Sequence, residues 1–284
     1  MSSASPRLIF FTGLVVLAFA GNSLLTRLAL VAPGITPGQF AGIRLLSGAL
    51  VLALVARGRQ GSPWPKAADL PGVLSLSVYA VAFTYAYVQL GAATGVLILF
   101  PAVQITIALM AVRAGAVPAF REASGMLLAL AGIIWLLAPG AEAPPLLPAL
   151  MMALGGIAWG LYTMLGRGAQ APLARTARNF VGAAPLALLL LLVPPYAVPE
   201  MRGILLALAS GIVTSGLGYA LWYSVLPSLN VATAGAVQML VPLVTAAGGV
   251  LWLGEPLSLR FVLIAALICG GIWLTTGAPK PRSP

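Results

Sequence analysis

AATGVLILFP, residues 92–101, and VATAGAVQMLVP, residues 231–242, are two versions of one pattern. Each opens on an Ala-Thr pair, continues through apolar residues and places a proline, Pro101 or Pro242, where a helix would otherwise run unbroken. In a water-soluble helix an interior proline removes a backbone donor, clashes with the preceding turn and costs about 3 kcal/mol. In a membrane bundle, neighbouring helices and water satisfy the freed carbonyl, so the break can bend a span or line a cavity. The doubled proline thus suggests a membrane chain built twice, with Pro101 and Pro242 as matched hinges near its centre.

Composition supports the membrane half of that reading. Of 284 residues, 61% are hydrophobic and 7% charged, against about 25% charged in an ordinary soluble domain. With a mean hydropathy of +1.05, the chain cannot cover a water-facing surface, and its solvent is lipid. Cutting at charges, prolines and glycine clusters yields ten candidate spans: 8–31, 38–56, 70–90, 93–113, 120–138, 146–166, 178–195, 203–225, 231–253 and 258–277. The first lacks a clear cleavage site and reads as a retained helix rather than a leader. The connections are short and leave no room for an extramembrane domain. The longest polar linker is RGRQGSPWPKAAD, residues 57–69.

The formal charge of +10 raises the question of a nucleic-acid partner, and its placement answers it. With the N-terminus inside, the inner side receives Arg7, Arg57, Arg59, Lys66, Arg113, Arg121, Arg167, Arg175, Arg178, Lys280 and Arg282, and the outer side only Arg202 and Arg260. Eleven against two is a strong positive-inside bias. The expectation is a multi-pass protein of the cytoplasmic (inner) membrane, both termini cytoplasmic, whose partners are the lipid bilayer and a small-molecule substrate, with no nucleic acid. Nothing in the sequence fixes an oligomeric state; a monomer is consistent with it.

Two further echoes accompany the proline pair. FAGNSLLTR at 19–27 is similar to WGLYTMLGR at 159–167, and GIIWL at 132–136 to GGIWL at 270–274. The offsets are 140, 141 for the prolines and 138. They divide the chain into two halves, 1–140 and 141–284, of five helices each. An odd number of helices per half turns the second upside down relative to the first. The expected fold is therefore all-α: ten transmembrane helices as two inverted five-helix repeats around a central cavity, with a substrate site near the midplane.

Taken together, the helix-1 motif FAGNSLLTR, the helix-2 motif GIRLLSGAL around Arg44, the proline runs of helices 4 and 9 and GEPLS at 254–258 resemble the drug/metabolite transporter superfamily. Within it the chain resembles the EamA-type exporters over nearly its whole length. No single motif is specific; the combination is. The first half departs from the pattern, with RAGAV at 113–117 where the second has its Glu-bearing segment. The resemblance implies a cavity that opens alternately to each side and export of small metabolites, often amino acids, aromatic ones among them. The small multidrug transporters of the same superfamily carry a helix-1 glutamate, and AGNSLLT here has none.

The acidic residues Asp69, Glu122, Glu142, Glu200 and Glu255 all fall in loops or at helix ends, and there is no histidine. Proton-coupled carriers often use an intramembrane Asp, Glu or His, so transport without steep dependence on a proton gradient is expected. No metal site and no cofactor are expected. An embedded enzyme would need a nucleophile, base or metal cluster, and the lone Cys269, flanked by apolar residues, reads as packing. Arg27 and Arg44 lie inside spans, where a charge costs roughly 2.5–3.5 kcal/mol at the bilayer centre. Each is close enough to the outer boundary to snorkel; the alternative is a fixed positive charge at the outer mouth that attracts a carboxylate, or, for Arg44, pairing with carbonyls of a neighbouring helix. The candidate substrate-binding set is Asn22, Tyr79, Phe83, Gln104, Trp159, Tyr162, Tyr219, Trp222 and Gln238. Aromatic walls with a few amides suit an amphipathic solute with one charged end. The bland readings are plain packing for the deeper rings, an interfacial belt for Tyr85, Tyr87 and Tyr223, and helix–helix hydrogen bonds for the two glutamines. Gly156 with Gly160, and Gly211 with Ser215, read as close-packing pairs.

The function expected on these grounds is secondary transport, by alternating access, of small organic metabolites, amino acids first. The rivals are an exporter of other lipophilic solutes or drugs, and a membrane scaffold or receptor without transport.

Overall fold

A backbone in lipid has no water to bond with and must close its own hydrogen bonds; this chain does so in helix after helix. The structure, a computed structural model, describes residues 6–32, 34–57, 62–115, 117–140, 143–166, 169–194, 198–229 and 231–276, with only the backbone of 231–236 and 239. Among the described residues there are α-helices and short π and 3-10 turns, and no strands.

The α-helices are α1 (Pro6–Leu30), α2 (Pro37–Arg57), α3 (Leu70–Ala86), α4 (Ala92–Arg113), α5 (Phe120–Leu137), α6 (Leu146–Gly166), α7 (Pro172–Gly182), α8 (Ala184–Leu191), α9 (Met201–Ala209), α10 (Gly218–Val225), α11 (Val231–Leu253) and α12 (Leu259–Thr276). A single residue separates α7 from α8, and a π-helical segment, Ser210–Leu217, joins α9 to α10, so they form ten rods. Among the described residues seven helical segments are long and apolar enough to cross a membrane; Leu240–Leu253 and Leu259–Thr275 are shorter apolar helices.

The seventh rod departs from the expected span of 178–195. It begins at Pro172, in the first turn where a proline's missing N–H is no loss. It breaks at Ala183, ahead of Pro185 in the first turn of α8, which cannot donate to the turn behind it. Arg175 and Arg178 therefore ride on a helix rather than in a loop. The third rod ends at Ala86, and a turn carries the chain to α4.

Side-chain polarity is inverted relative to a soluble protein. Ile9, Phe10, Leu17, Leu127, Ile134, Leu251 and Trp252 point outward, while Asn22, Ser23, Thr26, Arg44, Ser47, Ser210 and Thr214 are buried. Packing is close where small residues allow it. α6 lies against both α3 and α4; a Cβ on Gly156 would sit 2.6 Å from the Leu99 carbonyl and one on Gly160 2.7 Å from the Thr106 Cβ. Gly125 of α5 and Gly271 of α12 meet in the same way: a Cβ on either would lie within 2.6 Å of the other's carbonyl oxygen. α1 packs on α9, α10 and α11, and α2 on α7, α8 and the π segment. The expected small-residue contacts at Gly156, Gly160 and Gly211 are all present, Gly211 against Ser47 and the Arg44 carbonyl.

Candidate functional site

The rings that the sequence scatters over five rods form one file. Phe83 meets Tyr87 edge-on at 4.7 Å between centroids and Tyr79 at 5.1 Å. Tyr79 meets Trp159 at 4.8 Å, and Trp159 stacks on Tyr162 at 5.2 Å and on Tyr219 at 5.4 Å. From Tyr219 the file reaches Phe180 at 6.0 Å and Phe19 at 5.9 Å, and Phe19 meets Trp222 at 6.0 Å. α1 and α3 supply part of it, and α6, α7 and α10 the rest. Phe19 and Phe180 were not among the residues expected from sequence; each lies on a different helix from the rings it joins, which spacing along one helix cannot reveal.

Asn22 ties three elements together at the middle of this file. Its Nδ2 donates to the Tyr79 hydroxyl at 3.2 Å. Its Oδ1 accepts from Ser210 Oγ at 2.9 Å and Thr214 Oγ1 at 3.3 Å, both on the π segment. π segments recur at functional sites because the wider turn re-aims side chains. Here it turns two hydroxyls toward α1 and brings Gly211 against α2. Glycines at 211, 216 and 218 were the only signal for it in the sequence.

Arg44 differs from the snorkelling expectation. It is 1% exposed, because α2 is enclosed by α3, α7 and the π segment and offers no route to the boundary on that face. Its guanidinium lies 5.4 Å from the Tyr79 ring and 5.2 Å from the Phe83 ring. Nε and Nη1 have no hydrogen-bond partner, so the carbonyl pairing considered for it is not made by those atoms. Arg27 behaves otherwise: Nη1 donates to the carbonyls of Tyr87 and Val88, both at 3.0 Å, and Nε pairs with Glu255 at 3.4 Å.

That ion pair lies at one end of the bundle. Both Glu255 oxygens accept from the Ala92 N–H at 2.9 Å, at the positive end of α4. At the opposite end Arg178 grips Asp69, Nε to Oδ2 at 2.6 Å and Nη2 to Oδ1 at 3.3 Å. Tyr87 does not belong to an interfacial belt: it is fully buried, its hydroxyl donating to the Ala92 carbonyl at 3.3 Å. Tyr223 is half-buried against the core. Tyr85 instead lines a groove of about 640 Å³ near the Arg27 end, with Gly34–Gly38, Val193 and Glu200. That groove lies away from the ring file, and its lining is mostly apolar, so the polar chemistry at Arg44 and Asn22 defines the candidate site. Gln104 and Gln238 are half-buried on α4 and α11, and no hydrogen bond links either to the file. Pro101 and Pro242 are buried in helices that run on through them. Among the described residues no group of three or more His, Cys, Asp or Glu could hold a metal ion.

Comparison with known proteins bears on this geometry. The pattern of the EamA-like transporter family matches residues 146–277. The uncharacterized protein PA1977 of Pseudomonas aeruginosa is 48% identical over 269 residues, covering 94% of each chain. A solved crystal structure, described only as that of a protein, aligns over 96% of this chain and 98% of its own, with a TM-score of 0.67 at 20% identity. At that identity the likeness is one of fold.

Proposed function

We propose, from the match of residues 146–277 to the EamA-like transporter family, that the chain is a transporter of that kind and exports small organic metabolites, amino acids first, across the cytoplasmic membrane by alternating access. The observation that carries this reading is the ring file: residues on α1 and α3 interleave with residues on α6, α7 and α10, so any relative movement of the two halves opens it. A solute with an apolar body would slide between the parted rings, which supply contact area at little entropic cost.

The inverted repeat, 1–140 against 141–284, is supported by how the rods pair. α3 lies on α6 as the rod of α9 and α10 lies on α1; α4 lies on α6 as α11 lies on α1; α2 faces the rod of α7 and α8, and α5 faces α12. Exchanging the halves maps each of these pairings onto another or onto itself. The family pattern covers only the second of the two units, which suits a module used twice. Basic residues concentrated on one side favour cytoplasmic termini.

Reconstitution of the full chain in liposomes tests this. Preloaded radiolabelled amino acids should leave faster than from empty-protein controls, and aromatic ones should lead the panel. If amino acids and other small metabolites all stay at the rate of protein-free vesicles, the transport reading fails; if only lipophilic drugs move, the substrate class is wrong and the mechanism stands.

A further inference from the structure

Three other arginines in this bundle find acceptors. Arg27 takes two carbonyls and Glu255, Arg178 takes Asp69, and Arg260 Nη2 takes the carbonyls of Trp135 and Ala138 at 2.9 and 3.0 Å. Arg44 is more deeply buried than any of these, and its Nε and Nη1 have none. The described acids are placed elsewhere. Asp69 and Glu255 hold the two ends, Glu122 accepts from the Ala119 N–H at the start of α5, and Glu200 is exposed beside Gly34. Cation–π contact with Tyr79 and Phe83 stabilises the guanidinium through its face, but the N–H donors lie in its plane and are not satisfied that way. A buried, uncompensated charge is among the most costly features a fold can keep.

We propose that Arg44 binds the carboxylate of the transported solute, whose apolar body takes the place between Tyr79, Phe83, Trp159 and Tyr219. This rests on the transport reading above and narrows it. One guanidinium with no second free cation among the described side chains of the file suits a single negative charge, and its planar fork matches a carboxylate. The acids at the two ends of the file, Glu255 and Asp69, are already paired with Arg27 and Arg178, so the amine of an amino acid contributes little. The recognised class is a monocarboxylate with an aromatic or branched apolar body, whether or not it carries an amine.

The test is a binding titration on the full-length protein in nanodiscs, read by tryptophan fluorescence, since Trp159 lies in the file. Three probes share one body: phenylalanine, 3-phenylpropionate (no amine) and phenylalaninamide (no carboxylate). The two acids should bind with similar affinity and the amide at least about tenfold more weakly, as for the loss of a charge-assisted hydrogen bond. Arg44→Gln should weaken both acids by about tenfold or more and leave the amide unchanged, while Arg44→Lys should fall between. Equal binding of acid and amide by the native protein overturns the proposal, and that comparison needs no variant if Arg44→Gln fails to fold. So does a uniform loss for all three probes in a folded Arg44→Gln, which would mark a structural role, or a native protein that binds neither acid. Carboxylate-selective binding without liposome flux would sink the transport reading and leave the assignment of Arg44 standing; flux indifferent to the carboxylate would do the reverse.

Discussion

At the residue scale the fold is decided by polar groups with nowhere to go but inward. Asn22 spends its side chain on Tyr79, Ser210 and Thr214, joining α1, α3 and the π segment at one point. Removing it leaves the buried Tyr79 and Ser210 hydroxyls short of a partner, each worth roughly 1 kcal/mol, while Thr214 keeps its bond to the Ser210 carbonyl. Asn22→Ala should therefore lower the thermal midpoint in detergent micelles clearly, whereas Gln104→Ala, without such links, should leave it nearly unchanged; equal midpoints for native protein and Asn22→Ala would remove Asn22 from this role. Part of this was legible: the sequence marked Asn22, Tyr79, Phe83, Gln104, Trp159, Tyr162, Tyr219, Trp222 and Gln238 as a polar-aromatic set, and its six rings lie in the file and Asn22 bonds to it, while the two glutamines do not join it. Arg44 was legible as a charge in a span but not as a buried one. Its distance from the helix end is a local property, while its route to the headgroups depends on which helices enclose α2, and that is set by contacts far away in sequence.

At the element scale, close approach of helices carries the packing. Gly156 has no room for a side chain against the Leu99 carbonyl and Ala102, whereas Gly270 has nothing within 4 Å. Gly156→Ala should then destabilise by about 1–3 kcal/mol through forced separation of α4 and α6, and Gly270→Ala should be neutral or slightly stabilising. Reversible SDS unfolding compares them directly, and equal stabilities would contradict the packing assigned here. Span positions were readable because hydropathy is a local signal. The break at Ala183 and the π segment were not, since each depends on how a rod meets its neighbours. Pro101 and Pro242 are buried in unbroken helices, so their proposed hinge role concerns movement. Replacing either with alanine is expected to slow flux while leaving the fold intact; unchanged flux would reduce both to packing details.

At the scale of the whole molecule, two ion pairs stand at opposite ends of one aromatic file: Arg27–Glu255 at one, Arg178–Asp69 at the other. Under the alternating access proposed above, the two pairs release in turn. The described acids lie at rod ends and not along the file, so flux should respond little to an imposed pH gradient across the vesicle; strong uphill export driven by such a gradient would contradict this. The proposed division into two halves comes from the echoed strings, since duplicated sequence keeps its order. Their mutual packing was not, because no local pattern states which rod of one half meets which rod of the other. The central claim is that the file opens to each side of the membrane in alternation. Its most direct test replaces Cys269, the one native cysteine, with alanine, introduces single cysteines at Phe83 or Trp222, and measures labelling by a membrane-impermeant maleimide from each side. Labelling at one position should rise from one side and fall from the other when Asp69→Asn or Glu255→Gln releases an end, or when substrate is added. Labelling that never changes sides under any of these conditions would contradict the account.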